Sequence, residues 1–203
     1  MAYDALTAEE VQTDPSAVVR LFQLPSGVTA TFRPLLSSDS QRLGEYFLGL
    51  SPETRSRFGP HPLDRATADH LCASIHVAEA LRMIAVIANP EEQIIAYCIL
   101  LLSVTEHELA RYARYGTVLD ARIDCTVAPS VADAYQNLGL GSPFLLHLIE
   151  VARRLGRQRM VLLGGVQATN QRAVHFYRKH HFQMAGSFEW PAGVFNHDML
   201  LKL

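Results

Sequence analysis

Residues 135–156 read YQNLGLGSPFLLHLIEVARRLG, from Tyr135 to Gly156, and this stretch orders the rest of the chain. Phe144, Leu145, Leu148, Ile149, Ala152 and Leu155 recur at helical spacing after Ser142-Pro143, so the stretch predicts an amphipathic helix packed on a sheet, with His147, Glu150, Arg153 and Arg154 outside. Just before the helix, Gly139 and Gly141 free the backbone to turn the amides of Asn137, Leu138, Gly139, Leu140, Gly141 and Ser142 toward one point. No acidic side chain occupies the first helical turn. An anion there gains about 0.3–1 kcal/mol from the helix dipole, and each amide bond to a charged acceptor adds about 1.5–3 kcal/mol. A lone Gly-x-Gly reads equally as the plain end of a loop. Two phosphate motifs are excluded, since GLGSPF lacks the third glycine of the dinucleotide fingerprint and no Gly-Lys-Ser/Thr follows.

Outward from this helix, elements of both kinds interleave. VVRLFQL and VTATFRPL alternate around Pro25-Ser26-Gly27 and predict a hairpin. SDSQRLGEYFLGL, SPETRSRF and DRATADHLCASIHVAEAL follow as helices, the last with Leu71, Ile75 and Ala78 on its apolar side. RMIAVIAN and QIIAYCILLLSV predict two antiparallel strands, and TVLDARIDCTV another. TEHELARYARYG between them reads as either a short helix or an irregular excursion. After the glycine-led helix come the strand RMVLLGGV, the helix TNQRAVHFYRKHHF and two strands around GSFEW and FNHDMLLKL. The class is α/β in the broad sense, a mixed α+β arrangement. Residues 1–17 show no periodicity and are expected to form a flexible arm ahead of one domain, 18–203.

The bulk properties narrow the partners. The chain has 203 residues, 18 basic and 20 acidic, for a net charge of −2, which lacks the basic excess that marks a nucleic-acid or lipid-surface partner. Cys72, Cys98 and Cys125 are odd in number and sit in apolar contexts, so they read as reduced core thiols and imply no metal. No apolar run approaches the roughly 18 residues a bilayer span needs. The N-terminal MAYDALTAEEVQTDP is acidic and polar, unlike a signal peptide, and a cytoplasmic location is expected.

In TNQRAVHFYRKHHF, Asn170 and Tyr177 stand two helical turns apart on one face, with Ala173 and Val174 between. Taken alone, Asn170 is a helix cap and Tyr177 a core residue. With the glycine loop, however, the two stretches resemble the GNAT superfamily of acyl-CoA-dependent N-acyltransferases. Gln136-x-x-Gly139-x-Gly141 is similar to that family's pyrophosphate loop, and Asn170…Ala173…Phe176-Tyr177…Phe182 to its later helix, about thirty residues on. TFRPLLSSDSQRLGEYFLGLSPETRSRF and Asp133-Ala134-Tyr135-Gln136 resemble the branch that includes bacterial protein-lysine acetyltransferases. Three departures stand out: Pro129-Ser130-Val131-Ala132 looks like an insertion, Pro143 removes a donor from the helix start, and His181 stands where many relatives have glycine.

The resemblance implies a central, mostly antiparallel sheet splayed at its middle strands and flanked by helices. It implies acetyl transfer from acetyl-CoA, as co-substrate and without a metal, to a primary amine of a small molecule by direct attack. The alternatives are a protein lysine or N-terminal acetyltransferase and a non-catalytic acyl-CoA-binding regulatory module. The amides of 137–142 would take the diphosphate, with Gln136 leading the loop. Backbone near Thr126 and Val127 would pair with the cofactor's amide-bearing arm, and Asn170 would bond it from the other side. Tyr177 would be the general acid. Asp124 is the candidate base, with a structural ion pair to an arginine as its other reading. Pairing of two copies through the terminal strands is also implied.

Overall fold

Pro25-Ser26-Gly27 turns the chain between β1 (Arg20–Gln23) and β2 (Thr29–Pro34), with Gly27 at φ +84°. The computed structural model describes residues 4–88 and 90–203, so the three N-terminal residues and Asn89, the end of the strand reading RMIAVIAN, lie outside it. Three helices follow β2: α2 (Ser40–Gly49), α3 (Pro52–Ser56) and α4 (Arg65–Ala73), preceded in the chain by α1 (Ala8–Thr13). The remaining elements are β3 (Ala80–Ala88), β4 (Glu92–Leu101), α5 (Glu106–Arg114), β5 (Asp124–Val131), α6 (Gly141–Arg154), β6 (Arg159–Leu162), β7 (Val166–Gln167), α7 (Gln171–Lys179), β8 (Gln183–Glu189) and β9 (Phe195–Lys202).

Among the described residues nine strands form one open sheet in the order β1-β2-β3-β4-β5-β6-β9-β7, with β8 also paired to β9. Every pairing is antiparallel except β5 with β6. The fold is mixed α/β with helices on both faces. α6 and α7 cover one face through Phe144, Leu148, Val151, Val174 and Tyr177, and α2 and α4 cover the other through Leu43, Phe47, Ala68 and Leu71.

The sheet opens between β5 and β6, and the reason is local. Their register ends at Val127 opposite Leu162, but β5 runs on to Val131 against β4 alone. Ala132 N–H donates to Ile95 O and Leu163 N–H donates to Val127 O, so along β5 the backbone groups of Val127, Pro129 and Val131 face the β6 side. Pro129 has no N–H to donate, and the ladder to β6 cannot continue past it. The residues expected between strand and loop lie in the strand: Pro129-Ser130-Val131 are the last residues of β5 itself.

Several expectations are corrected. Residues 7–18 carry α1 and a following turn of helix: Thr7 and Glu10 form a capping box on α1, Val11 is fully buried, and Leu6 N–H donates to Arg154 O of α6. α4 stops at Ala73, where the Ser74 hydroxyl donates to His70 O, so Ile75 and Ala78 lie beyond it. TEHELARYARYG is helical, fixed by a capping box between Thr105 and Glu108. β5 begins only at Asp124, because Asp124 accepts from Asp120 N–H and the carboxylate of Asp120 turns back on Arg122. His147 is buried rather than outside, stacked near Phe32, with Nε2–H donated to Val18 O.

Candidate functional site

Five elements converge on the opening between β5 and β6. The cleft, about 260 Å³, is walled by Val127–Val131 of β5, Gly141, Phe144 and Leu145 of α6, and Asn170, Ala173, Phe176 and Tyr177 of α7. Its far wall is Thr54, Arg57, Phe58, Gly59 and Pro60 around the end of α3, with Leu163, Gly165 and Gln167 after β6.

The loop into α6 has the backbone that its glycines foretold. Asn137 stands at φ +61° and Gly139 at φ +85°, followed by Leu140 in the right-handed region. Such left-to-right alternation is how successive amides are made to converge. α6 has no side-chain cap and no acid in its first turn, so its leading amides are left without an internal partner. Of the predicted loop residues, Gln136, Asn137 and Gly141 line the cleft. Leu138 is exposed, Leu140 is buried in the core, and Gly139 packs against Pro25. The Ser142 hydroxyl is 2.9 Å from His180 Nε2 at the end of α7.

Gln136 is more of a brace than a ligand. Its Nε2 donates to Val131 O and Thr54 Oγ1, and its Oε1 accepts from Arg172, so one amide ties together β5, α3 and α7. Thr54 in turn donates to Asp133, which also accepts from Ser51 N–H and Oγ–H. Burial pushes the Asp133 carboxyl up, but the donors from Ser51 and Thr54 outweigh it and hold it below the usual range. Thr54, Arg57 and Phe58 were not singled out in the sequence; the capping serine of SPETRSRF was the available signal, and its partner Asp133 is 82 residues away.

A model of the Acetyltransferase (GNAT) family matches residues 53–182, which hold the cleft's far wall, the glycine loop and α7. The chain belongs to that family. Beyond the family model, an acetyltransferase of Pseudomonas aeruginosa is 30% identical over 140 residues, covering 68% of this chain and 67% of its own. The GNAT fold is also that of the GNAT domain of S. lividans PAT, with a TM-score of 0.71 at 21% identity over 93% of this chain and 99% of that one. The yncA protein of Salmonella typhimurium, solved with its cofactor acetyl-CoA, gives 0.59 at 16% identity over 86% and 94%.

In this GNAT chain the side chain of Tyr177 is buried yet borders the cleft, and its hydroxyl has no hydrogen-bond partner among the described residues. Burial raises the phenol above its ordinary pKa. Asn170 caps α7 by accepting from Ala173 N–H and still lines the cleft. Three candidates fare differently. Thr126 is fully buried with its hydroxyl donated to Ser103 O, and its backbone faces β4; Val127 O is used by Leu163. The open backbone edge lies two to four residues further on, at Pro129 O and Val131 N–H, since Val131 O is taken by Gln136. Asp124 lies off the cleft, fully buried in a two-bond pair with Arg159 at 2.6 and 2.9 Å. That pair is the structural reading of Asp124, and it leaves no oxygen directed at the opening.

Proposed function

We propose that this chain transfers the acetyl group of acetyl-CoA to a primary amine of a small-molecule acceptor by direct attack. The observation that carries the reading is the open edge of β5 at Pro129–Val131, flanked by the uncapped start of α6 and by the hydroxyl of Tyr177, which has no partner among the described residues. An extended amide-bearing arm adds to such an edge as a strand would, through Pro129 O and Val131 N–H, Val131 O being held by Gln136. The amides around Asn137 to Ser142 take the diphosphate, and Arg172, half-committed to Gln136, supplies positive charge beside it. Asn170 has its Nδ2 free to donate, since only its oxygen is used in capping.

Tyr177 then gives its proton to the departing thiolate. The acceptor would enter beside Phe58, Gly59, Pro60, Leu163 and Gly165, which line the same cleft. Calorimetry with acetyl-CoA, followed by thiol release across amines, tests the reading. Saturable heat together with amine-dependent thiol release is expected. Absence of heat at millimolar coenzyme A, with folded protein, would overturn it.

A further inference from the structure

Resting on that reading, we infer that the acceptor is a weakly basic amine, with a pKa of about 8 or below as in an α-amino group, and not a lysine side chain or a polyamine. Attack on a thioester needs a nitrogen with a free lone pair, so a protonated amine must first lose a proton. Among the described residues lining the cleft there is no Asp, Glu, His or Lys. Its titratable side chains are Arg57, Arg172, Tyr135 and Tyr177, which are donors rather than proton acceptors.

The groups packed behind those walls are engaged as well. Asp133, one hydroxyl away through Thr54, accepts three hydrogen bonds and is held below the usual carboxylate range by them. His61, just past Pro60, donates Nδ1–H to Pro62 O and accepts the Tyr97 hydroxyl on Nε2, and burial pushes its pKa down. Glu108 is taken up by Thr105 and Gly164 N–H, Asp124 by Arg159, and His180 by Ser142.

The step then balances without an enzyme base. The neutral amine attacks the thioester carbonyl carbon, the C–N bond forms and the C–S bond breaks. The thiolate takes the Tyr177 proton, the new amide nitrogen sheds one proton to water, and the phenolate regains one from water. At pH 7 about one in ten α-amino groups is neutral, against about one in 2,500 lysine side chains, a difference of a few hundred-fold before any contact is made.

The test measures thiol release from acetyl-CoA between pH 6 and 10 with alaninamide and glycylglycine on one side, and Nα-acetyl-lysine methylamide and spermidine on the other. At pH 7 the α-amines should exceed the others in kcat/KM, the larger neutral fraction outweighing the greater nucleophilicity of the more basic amines, and each profile should bend at the acceptor's own pKa. Equal or faster transfer to the lysine derivative or to spermidine would overturn the inference while leaving acetyl transfer intact. So would a bend at one pH for all acceptors, which would reveal a base on the enzyme. Transfer to none of them would overturn the acetyl-transfer reading and this inference with it.

Discussion

Gly139 passes so close to Pro25 that a Cβ on it would stand 3.1 Å from Pro25 Cγ, at a backbone φ of +85°. The β1–β2 turn thus holds the loop before α6 from outside. Two costs follow for Gly139→Ala: about 1–2 kcal/mol for a left-handed alanine, and the displacement of Pro25. Denaturation in urea should show a loss of that size, and calorimetry about a tenfold weaker affinity for acetyl-CoA. Gly141→Ala is the contrast. Its φ is not positive and its Cβ would make an ordinary 3.4 Å contact with the Phe176 ring, so stability should stay within about 0.5 kcal/mol of the parent.

Asp124→Asn separates a structural from a catalytic role. It leaves Arg159 facing a neutral amide in place of its bidentate partner, and breaking a buried pair costs about 3 kcal/mol. Urea denaturation should show that loss, while the pH–rate profile of the folded fraction keeps its shape. A missing acidic limb in the variant would return Asp124 to the mechanism.

His181 sits at φ +66°. A left-handed histidine is strained and glycine is not. His181→Gly should therefore raise stability by about 1 kcal/mol, read as a higher melting temperature, with kcat unchanged.

The order of elements and the two motifs were legible because each is local. Periodicity located α6 and α7, and Gly139 and His181 marked backbone that their φ values later explained. What was not legible depends on partners far along the chain. His147 was assigned outward by its polarity, but Val18 O, 129 residues away, accepts its Nε2–H and Phe32 covers it. Asp124 could not be told from a base until Arg159 met it across β5 and β6. Pro129 was read as lying past the strand, between it and the glycine loop. Only the missing β6 ladder beyond Val127 shows that it stands on a side where no N–H is needed.

The same buried His147 predicts acid sensitivity. Burial lowers its pKa in the fold, against about 6.5 when unfolded, so below that value the unfolded chain binds the proton first. Stability must then be lost as pH falls through about 6.5 toward the folded pKa. His61 and His180 are lowered by burial too and add in the same sense. The urea midpoint should drop between pH 7 and pH 5. His147→Phe should cost about 1 kcal/mol at pH 7, since Val18 O loses its donor, and should flatten that acid slope. An unaltered slope would mean that His147 does not titrate with unfolding.

Tyr177→Phe removes one oxygen that bonds to none of the described residues, so the melting temperature should be unchanged. The chemistry should not be. Loss of the general acid predicts a fall in kcat of about 10²–10⁴-fold, with the KM for acetyl-CoA within about threefold of the parent. Burial raises the phenol's pKa above its ordinary value near 10. The acid is therefore still protonated when an ordinary tyrosine would be losing its proton, and the parent's kcat should show no fall between about pH 9 and 10 from that cause. Steady-state kinetics of both proteins on an accepted amine decide the matter. Parent-like turnover in Tyr177→Phe would leave the thiolate to take its proton from water and remove this phenol from the reaction.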